Sequence, residues 1–236
     1  MTDHGNSVRD AIAAGHSRYP VVREMILDAD TAVTAFRKIH RGGHGFLLES
    51  LEGGERWARY SFMATEPAAV FRYRNGRIER LTDRDSWQQH SAASSPLDHL
   101  GELMRTTTAP RIEGLPRFTG GAVGFWGYDV VRDIEHLPSP PPDDRELPDA
   151  VTMVVDTLLV IDHLFHRAIV IANAHIASGM SDDDLHSALR SAGSRADEWI
   201  DRLHASSSMT RLSLSMPAEP ISCTSGYAED RFRADV

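Results

Sequence analysis

A carboxylate and a hydroxyl stand side by side where an apolar strand ends. Glu49 and Ser50 follow Phe46–Leu48, and a glycine turn with alternating charges leads on to Arg59. Strand-end polar groups often do no more than meet solvent or satisfy nearby backbone. The alternative is that the pair converges on a small zwitterion, with the carboxylate holding its ammonium group and the hydroxyl a second polar group. The residues alone leave both interpretations open.

Four glycines interleaved with aromatic residues form a second candidate, in the stretch "FTGGAVGFWGYD" (residues 118–129). They are Gly120, Gly121, Gly124 and Gly127. Neither a dinucleotide-binding fingerprint nor a phosphate-binding loop is present, because both need a different glycine spacing, and the latter a Gly-Lys-Ser/Thr end. Glycine inside a strand is typical of close approach by another backbone or a ligand. We favour backbone packing here.

Asp162, His163 and His166 lie close together in the sequence, but their spacing on a predicted turn fixes no shared face. A zinc site needs convergent ligands, so we interpret the two histidines as solvated turn residues. No spacing indicates a Ser-His-Asp or Cys-His arrangement either. The sequence therefore predicts no catalytic and no metal-binding residue in this chain.

Composition and charge argue against several kinds of binding partner and against a membrane-spanning or disulfide-bonded protein. The 236 residues carry a net charge of −9 without a run of Lys or Arg, which argues against nucleic acid or an anionic membrane surface as partner. No signal-peptide core and no apolar stretch of spanning length is visible. Cys223 is the single cysteine, so an intrachain disulfide is impossible. We expect a cytoplasmic protein.

Three helices are predicted from capping signals and apolar periodicity. The first is capped by Asp30 or Thr31 and carries Val33, Phe36 and Ile39 on one face. The second begins at Ser95-Pro96, and the third at Ser181, with Asp184 completing a capping box. A further helix is expected after Ser225.

Strands are predicted in antiparallel pairs. Asn75-Gly76 indicates a type I′ hairpin between residues 70–73 and 78–81. Val151–Ile161 reads as one long apolar strand, returned by Ala168–Ala172 after a short turn. Residues 82–95 and the proline-rich 137–148 read as loops. Hairpins mixed with helices, without regular alternation, predict an α+β fold of mostly antiparallel sheets with flanking helices.

Four motifs in one order carry a resemblance to a known family. They are "YPVVREMILDADTAVTAFRKI", "LLESLEGGERWARYSF", "LPRFTGGAVGFWGYDVVR" and "LPDAVTMVVDTLLVIDH", which begin at Tyr19, Leu47, Leu115 and Leu147. Together they resemble the N-terminal half of anthranilate synthase component I, a chorismate-using enzyme. The expected organisation is a flexible lead-in over residues 1–18, the N-terminal domain over 19–222, and over 223–236 the start of a helix leading into a catalytic domain absent from this chain.

The resemblance implies a function for the polar pair. In this family the Leu-Leu-Glu-Ser strand end lines the feedback site for L-tryptophan, so Glu49 and Ser50, and less directly Pro20, are implied as effector contacts. The family converts chorismate and ammonia, delivered by a glutamine amidotransferase subunit (component II), to anthranilate and pyruvate with Mg²⁺. The chorismate and Mg²⁺ residues are implied to lie in the absent domain, so this chain should be inactive alone. The alternatives are aminodeoxychorismate synthase component I and a stand-alone small-molecule-binding module.

Overall fold

A computed structural model describes residues 4–49, 59–82, 85–91, 95–139, 142–206 and 224–235. Within them, ten strands form two five-stranded sheets in which every pairing is antiparallel. The strands are β1 (Arg18–Ile26), β2 (Gly45–Leu48), β3 (Tyr60–Thr65), β4 (Ala69–Arg74), β5 (Arg77–Leu81), β6 (Trp87–Ser91), β7 (Gly121–Trp126), β8 (Ala150–Val155), β9 (Thr157–Asp162) and β10 (Arg167–His175).

One sheet has the order β1-β10-β9-β3-β2 and the other the order β6-β5-β4-β8-β7. Five helices accompany them: α1 (His4–Ala13), α2 (Ala32–Ile39), α3 (Pro96–Thr106), α4 (Asp182–His204) and α5 (Glu229–Asp235), with a short 3-10 helix at Tyr128–Asp133. The prediction of an α+β fold with mostly antiparallel sheets and flanking helices is confirmed. No helix within the described ranges has the length and apolar character needed to cross a membrane.

The main core lies where α4 and α2 cover the first sheet. Central strands β9 and β10 are almost wholly buried. The apolar stripe of α4 faces this sheet, and its buried members are Leu185, Ala192, Ala196, Trp199 and Leu203. On α2 the buried face is instead Ala32, Ala35 and Ile39, and Val33 is half exposed because it points away from α4 and β3.

The local turn and N-cap predictions are confirmed, but at the predicted Ser181–Asp184 capping box the Asp184 carboxylate accepts from Ser181 Oγ at 2.6 Å instead of from the backbone. Asn75 and Gly76 both have positive φ, at 53° and 69°, as a type I′ turn requires. Thr31, Ser95 and Ser181 each accept a hydrogen bond from a backbone N–H in the first turn of the helix that follows. These signals succeed because each depends on residues within one turn of chain.

The prediction of one strand over Val151–Ile161 is wrong. The chain breaks at Asp156 into β8 and β9, which belong to different sheets. The Asp156 carboxylate accepts a hydrogen bond from Arg18 at 3.3 Å and lies 2.9 Å from His175 Nε2. Because these partners are distant in sequence, apolar character alone could not show the break.

Two further segments differ from expectation. Residues 82–95 were predicted as loop, but β6 forms there and pairs with β5. Within the expected flexible lead-in over residues 1–18, α1 packs Val8 and Ala11 against Tyr19 and α4. Because neighbouring elements supply these contacts, the polar local sequence gave no sign of either element. The domain boundaries remain predictions, and Cys223 lies outside the described residues.

The glycine-rich strand behaves as predicted. A Cβ built on Gly124 would lie 1.8 Å from the backbone oxygen of Val151 in the neighbouring strand β8. No side chain can replace a hydrogen there without moving one of the two strands. Gly124 thus serves backbone packing between β7 and β8.

Candidate functional site

The predicted effector strand end lies at one margin of the first sheet. Glu49 directly follows β2, one position beyond the pair Leu48–Phe62, and both Leu48 and Glu49 are exposed. Ser50 lies outside the described residues. The partner strand β3 begins at Tyr60, so the chain leaves and re-enters the sheet at this margin. A carboxylate beside exposed apolar surface is therefore available here to a ligand.

A buried carboxylate fixes the point at which the chain re-enters the sheet. Asp162 at the end of β9 is fully buried. Arg59 donates to both of its oxygens at 2.9 Å, the bidentate geometry that guanidinium and carboxylate groups favour. The Arg59 guanidinium also lies over the rings of Tyr60 and Phe165, 4.7 and 4.9 Å from their centroids. Contacts with Asp162, Tyr60 and Phe165 thus fix the side chain of Arg59, which directly precedes β3.

This ion pair continues across the sheet. Arg167 of β10 donates to the same Asp162 carboxylate at 3.3 Å and, through Nη1, to Glu24 of β1 at 2.8 Å. Burial by itself would raise the pKa of Asp162, but the hydrogen bonds and charges of Arg59 and Arg167 outweigh it and hold the pKa below its ordinary value. Asp162 is therefore a stable anion that ties four strands together.

A second polar contact lies next to this pair. Ser61 is fully buried, and its Oγ lies 2.7 Å from Nε2 of the exposed His163. His163 was interpreted as a solvated turn residue, and its ring is exposed, but one nitrogen is committed to Ser61. The sequence analysis did not identify Arg59, Ser61 or Asp162 as residues that fix the geometry of this site. Asp162 could have been identified, because it is an acidic residue at the end of an apolar strand.

Pro20 lies elsewhere. It is buried in β1, which forms the opposite edge of the sheet from β2. Measured along the sheet, four strand spacings of about 4.8 Å separate these edges, or about 19 Å. Pro20 and Glu49 therefore lie at opposite edges of the same sheet.

Pro20 instead borders an open cleft on the first sheet. This cleft has a volume of about 900 Å³ and lies along β1, between α1 and the loop of residues 110–115. Such a volume falls in the range of ordinary ligand pockets. We call it the β1 cleft.

Residues with metal-binding side chains are not gathered into a site. Among the described residues, no three His, Cys, Asp or Glu side chains come together so as to hold a metal ion. A three-ligand site for the Mg²⁺ that the resemblance implies is therefore absent from the described ranges.

These features define an α+β chain of two antiparallel sheets with a polar strand end at one sheet margin. No family model matches the chain. It is 37% identical to anthranilate synthase component 1 of Acetivibrio thermocellus over 166 residues, which cover 70% of this chain and 33% of that protein. It is 33% identical to the protein of the same name from Pseudomonas aeruginosa over 195 residues, covering 81% of this chain and 38% of the relative.

A solved structure, that of anthranilate synthase component I from Streptococcus pneumoniae TIGR4, matches 73% of this chain and 36% of its own at 27% identity, with a TM-score of 0.42. Over the matched region, the chain is a homologue of anthranilate synthase component 1. The matched regions cover 33% and 38% of the length of these two curated relatives.

Proposed function

We propose that this chain is the regulatory and scaffold portion of an anthranilate synthase component I. The complete enzyme would convert chorismate and ammonia or glutamine to anthranilate and pyruvate, the first step of tryptophan biosynthesis. A glutamine amidotransferase subunit would deliver the ammonia, and Mg²⁺ and chorismate would bind in a catalytic domain outside this chain. L-Tryptophan would act as feedback inhibitor through Glu49 and Ser50.

Sequence similarity carries this proposal. Identity of 33–37% to two curated relatives extends over 70–81% of the chain, so it is not confined to one motif. Such extended identity supports a shared function more strongly than a shared fold would.

The strand-end geometry supports the effector role. Glu49 offers an exposed carboxylate to an ammonium group, and Leu48 beside it offers apolar surface to a ring. The bidentate Arg59–Asp162 pair and the Ser61–His163 contact fix the neighbouring strand, so a pocket formed here has a rigid wall. Pro20 belongs to β1 at the opposite edge of the same sheet, so its proposed contact with the effector carries less support than those of Glu49 and Ser50.

The test is Ser50→Phe in the complete enzyme. A bulkier side chain would crowd the effector pocket and remove a hydrogen bond, which costs about 1–3 kcal/mol, or roughly tenfold to a hundredfold in tryptophan affinity. Uninhibited turnover should change little, because inhibition couples two separate sites. Tryptophan inhibition curves and uninhibited kinetics measure both quantities.

The matched control is Ser206→Phe, which introduces the same ring at an exposed position after α4. It should leave inhibition and turnover as in the parent. Undiminished inhibition of the Ser50→Phe enzyme would refute the effector role. An enzyme that forms no anthranilate from chorismate even without tryptophan would refute the proposed activity itself.

A further inference from the structure

The floor of the β1 cleft is an open strand edge. β1 is an edge strand of its sheet and, among the residues that the structure describes, pairs only with β10, in continuous register from Arg18–His175 to Ile26–Arg167. The N–H of Ile176 donates to the Ser17 carbonyl at 3.0 Å, and the N–H of Leu27 to the His166 carbonyl at 2.9 Å. In an antiparallel pair the bonded residues alternate, so the odd-numbered residues of β1 bond to β10.

The even-numbered residues consequently direct their backbone groups away from β10, into the cleft. Arg18 shows this directly, because its N–H donates to the Thr108 carbonyl at 2.9 Å, and this contact closes one end of the cleft. Beyond it, Val22 and Glu24 likewise turn their N–H groups to the open edge of β1. Pro20 contributes only its carbonyl.

Some backbone hydrogen-bonding groups of this edge are missing or already bonded, which limits the strands that can pair with it. Proline at position 20 removes one donor, and the Val22 carbonyl accepts a hydrogen bond from the side chain of Arg23 at 3.1 Å. Proteins use such devices to prevent indiscriminate strand pairing. What remains open is a short run with donors at Val22 and Glu24 and acceptors at Pro20 and Glu24.

Apolar residues line the cleft on both faces of this strand edge, and we call these two linings its walls. Arg23 binds Asp197 of α4 on one face, and there the wall comes from α1 and α4, with Val8, Ala11 and Leu189. On the other face, Glu24 binds Arg167, which donates a hydrogen bond to the Gly114 carbonyl at 3.5 Å. The loop of residues 110–115 therefore forms the wall on this face, with Pro110 and Ile112. The cations Arg23 and Arg167 are already paired.

We propose that the β1 cleft binds an extended apolar peptide segment of another polypeptide, which adds to β1 as a sixth strand. Backbone donors and acceptors at strand spacing match another extended backbone, and walls on both faces would receive its alternating side chains. The run from Pro20 to Glu24 accommodates about 16 Å of strand, or about five residues. This inference goes beyond the proposed enzymatic function and does not depend on it.

A second copy of this chain fits the cleft less well. Its own β1 is flanked by α1 and by the loop of residues 110–115, and these would meet the same walls. A free peptide segment carries no such flanks. The proposed occupant is therefore a single extended segment with apolar side chains.

The experiment selects from a phage-displayed library of random heptapeptides on the immobilised 236-residue chain. Selected sequences should be rich in apolar residues, and the tightest, made synthetically with a fluorescent label, gives a Kd by anisotropy. In ¹⁵N–¹H spectra its binding should shift the amides of Val22 and Glu24 more than those of Val21 and Arg23.

Two variants locate the binding. Val22→Pro removes an edge donor without touching the β10 ladder and should weaken the peptide at least tenfold, whereas Val22→Ala keeps the N–H and should change binding less than threefold. Ile112→Asp alters only the loop wall and should also weaken peptide binding tenfold. If Val22→Pro does not fold, Ile112→Asp alone tests whether the peptide binds in the β1 cleft. Its control is Arg117→Asp, on the same loop outside the cleft.

Three outcomes would overturn the proposal. One is the absence of any enriched peptide, and another is equal binding by the parent, Val22→Pro and Ile112→Asp. The third is a dimer in sedimentation that Val22→Pro dissociates, because the occupant would then be a second copy.

Discussion

At the scale of single residues, the buried Asp162 carboxylate has the largest structural role. Two guanidinium groups satisfy it, and through them it joins the strand end near Glu49 to β1. A buried anion with two well-aligned partners tolerates little change, because loss of one charge leaves the others poorly compensated.

Asp162→Asn should lower the free energy of unfolding by about 3 kcal/mol at pH 6, since Arg59 loses its anion and Arg167 keeps only Glu24. Because the folded-state pKa of Asp162 is depressed, its contribution is present above the pKa of the unfolded chain, about 3.9, and is lost as pH falls through the folded-state value. The difference between parent and variant should therefore shrink below about pH 4. Urea unfolding at several pH values measures it, and a difference independent of pH would contradict this account.

At the scale of elements, two neighbouring strands are held at a spacing that only glycine permits. Gly124→Ala would force a methyl group against the Val151 backbone oxygen and should cost about 3 kcal/mol or more of unfolding free energy. Thermal or urea unfolding measures the loss.

The matched control for this change is Gly101→Ala within α3. A Cβ there meets only the far end of Arg105 at 3.8 Å. Alanine should stabilise this helix by about 0.5–1 kcal/mol. Equal effects at positions 101 and 124 would show that the close approach of β7 and β8 is unimportant.

The docking of α3 on the second sheet should depend on pH. His99 is buried, with its ring centroid 4.6 Å from that of Phe71 and 5.5 Å from that of His90. Burial, followed by repulsion from His90, lowers the pKa of His99, while Glu102 opposes the shift. The folded state thus favours neutral His99, and its contribution is lost as pH falls below about 6.5, the pKa expected for the unfolded chain.

His99→Phe keeps an aromatic ring against Phe71 but cannot titrate. The free energy of unfolding of this variant should fall less between pH 7.5 and pH 5.5 than that of the parent. His186→Phe, at an exposed position on α4, serves as control and should retain the parental fall. An unchanged fall in His99→Phe would exclude His99 as its source.

The same elements show what the sequence could predict. Asn75-Gly76, Ser95-Pro96 and the Ser181–Asp184 box are local signals, and each element that they predicted is present. The break at Asp156 is not local, since Arg18 and His175 fix it from other strands. At the candidate site, the Glu49 strand end was predictable from its polar pair, whereas the Arg59–Asp162 pair depends on residues about a hundred positions apart.

At the scale of the whole molecule, the regions matched to the two curated relatives cover 33% and 38% of those proteins. We expect the 236-residue chain alone to form no anthranilate from chorismate with either ammonia or glutamine. The resemblance assigns the chorismate and Mg²⁺ residues to a separate domain. Product fluorescence measures this, with a complete enzyme as positive control, and enzyme-like turnover by the pure chain would refute it.

The pairing of β1 with β10 also governs the order in which the molecule can be built. About 140 residues separate Ile26 from Arg167, and the register shows that β1 has no other strand partner among the described residues. At synthesis rates of about 5–20 residues per second, β1 waits roughly 7–30 s for its partner to be made. During that interval both of its edges are open. Pro20 and the charges of Arg23 and Glu24 would then protect the nascent chain on the ribosome from aggregation, before β1 has become part of the folded sheet.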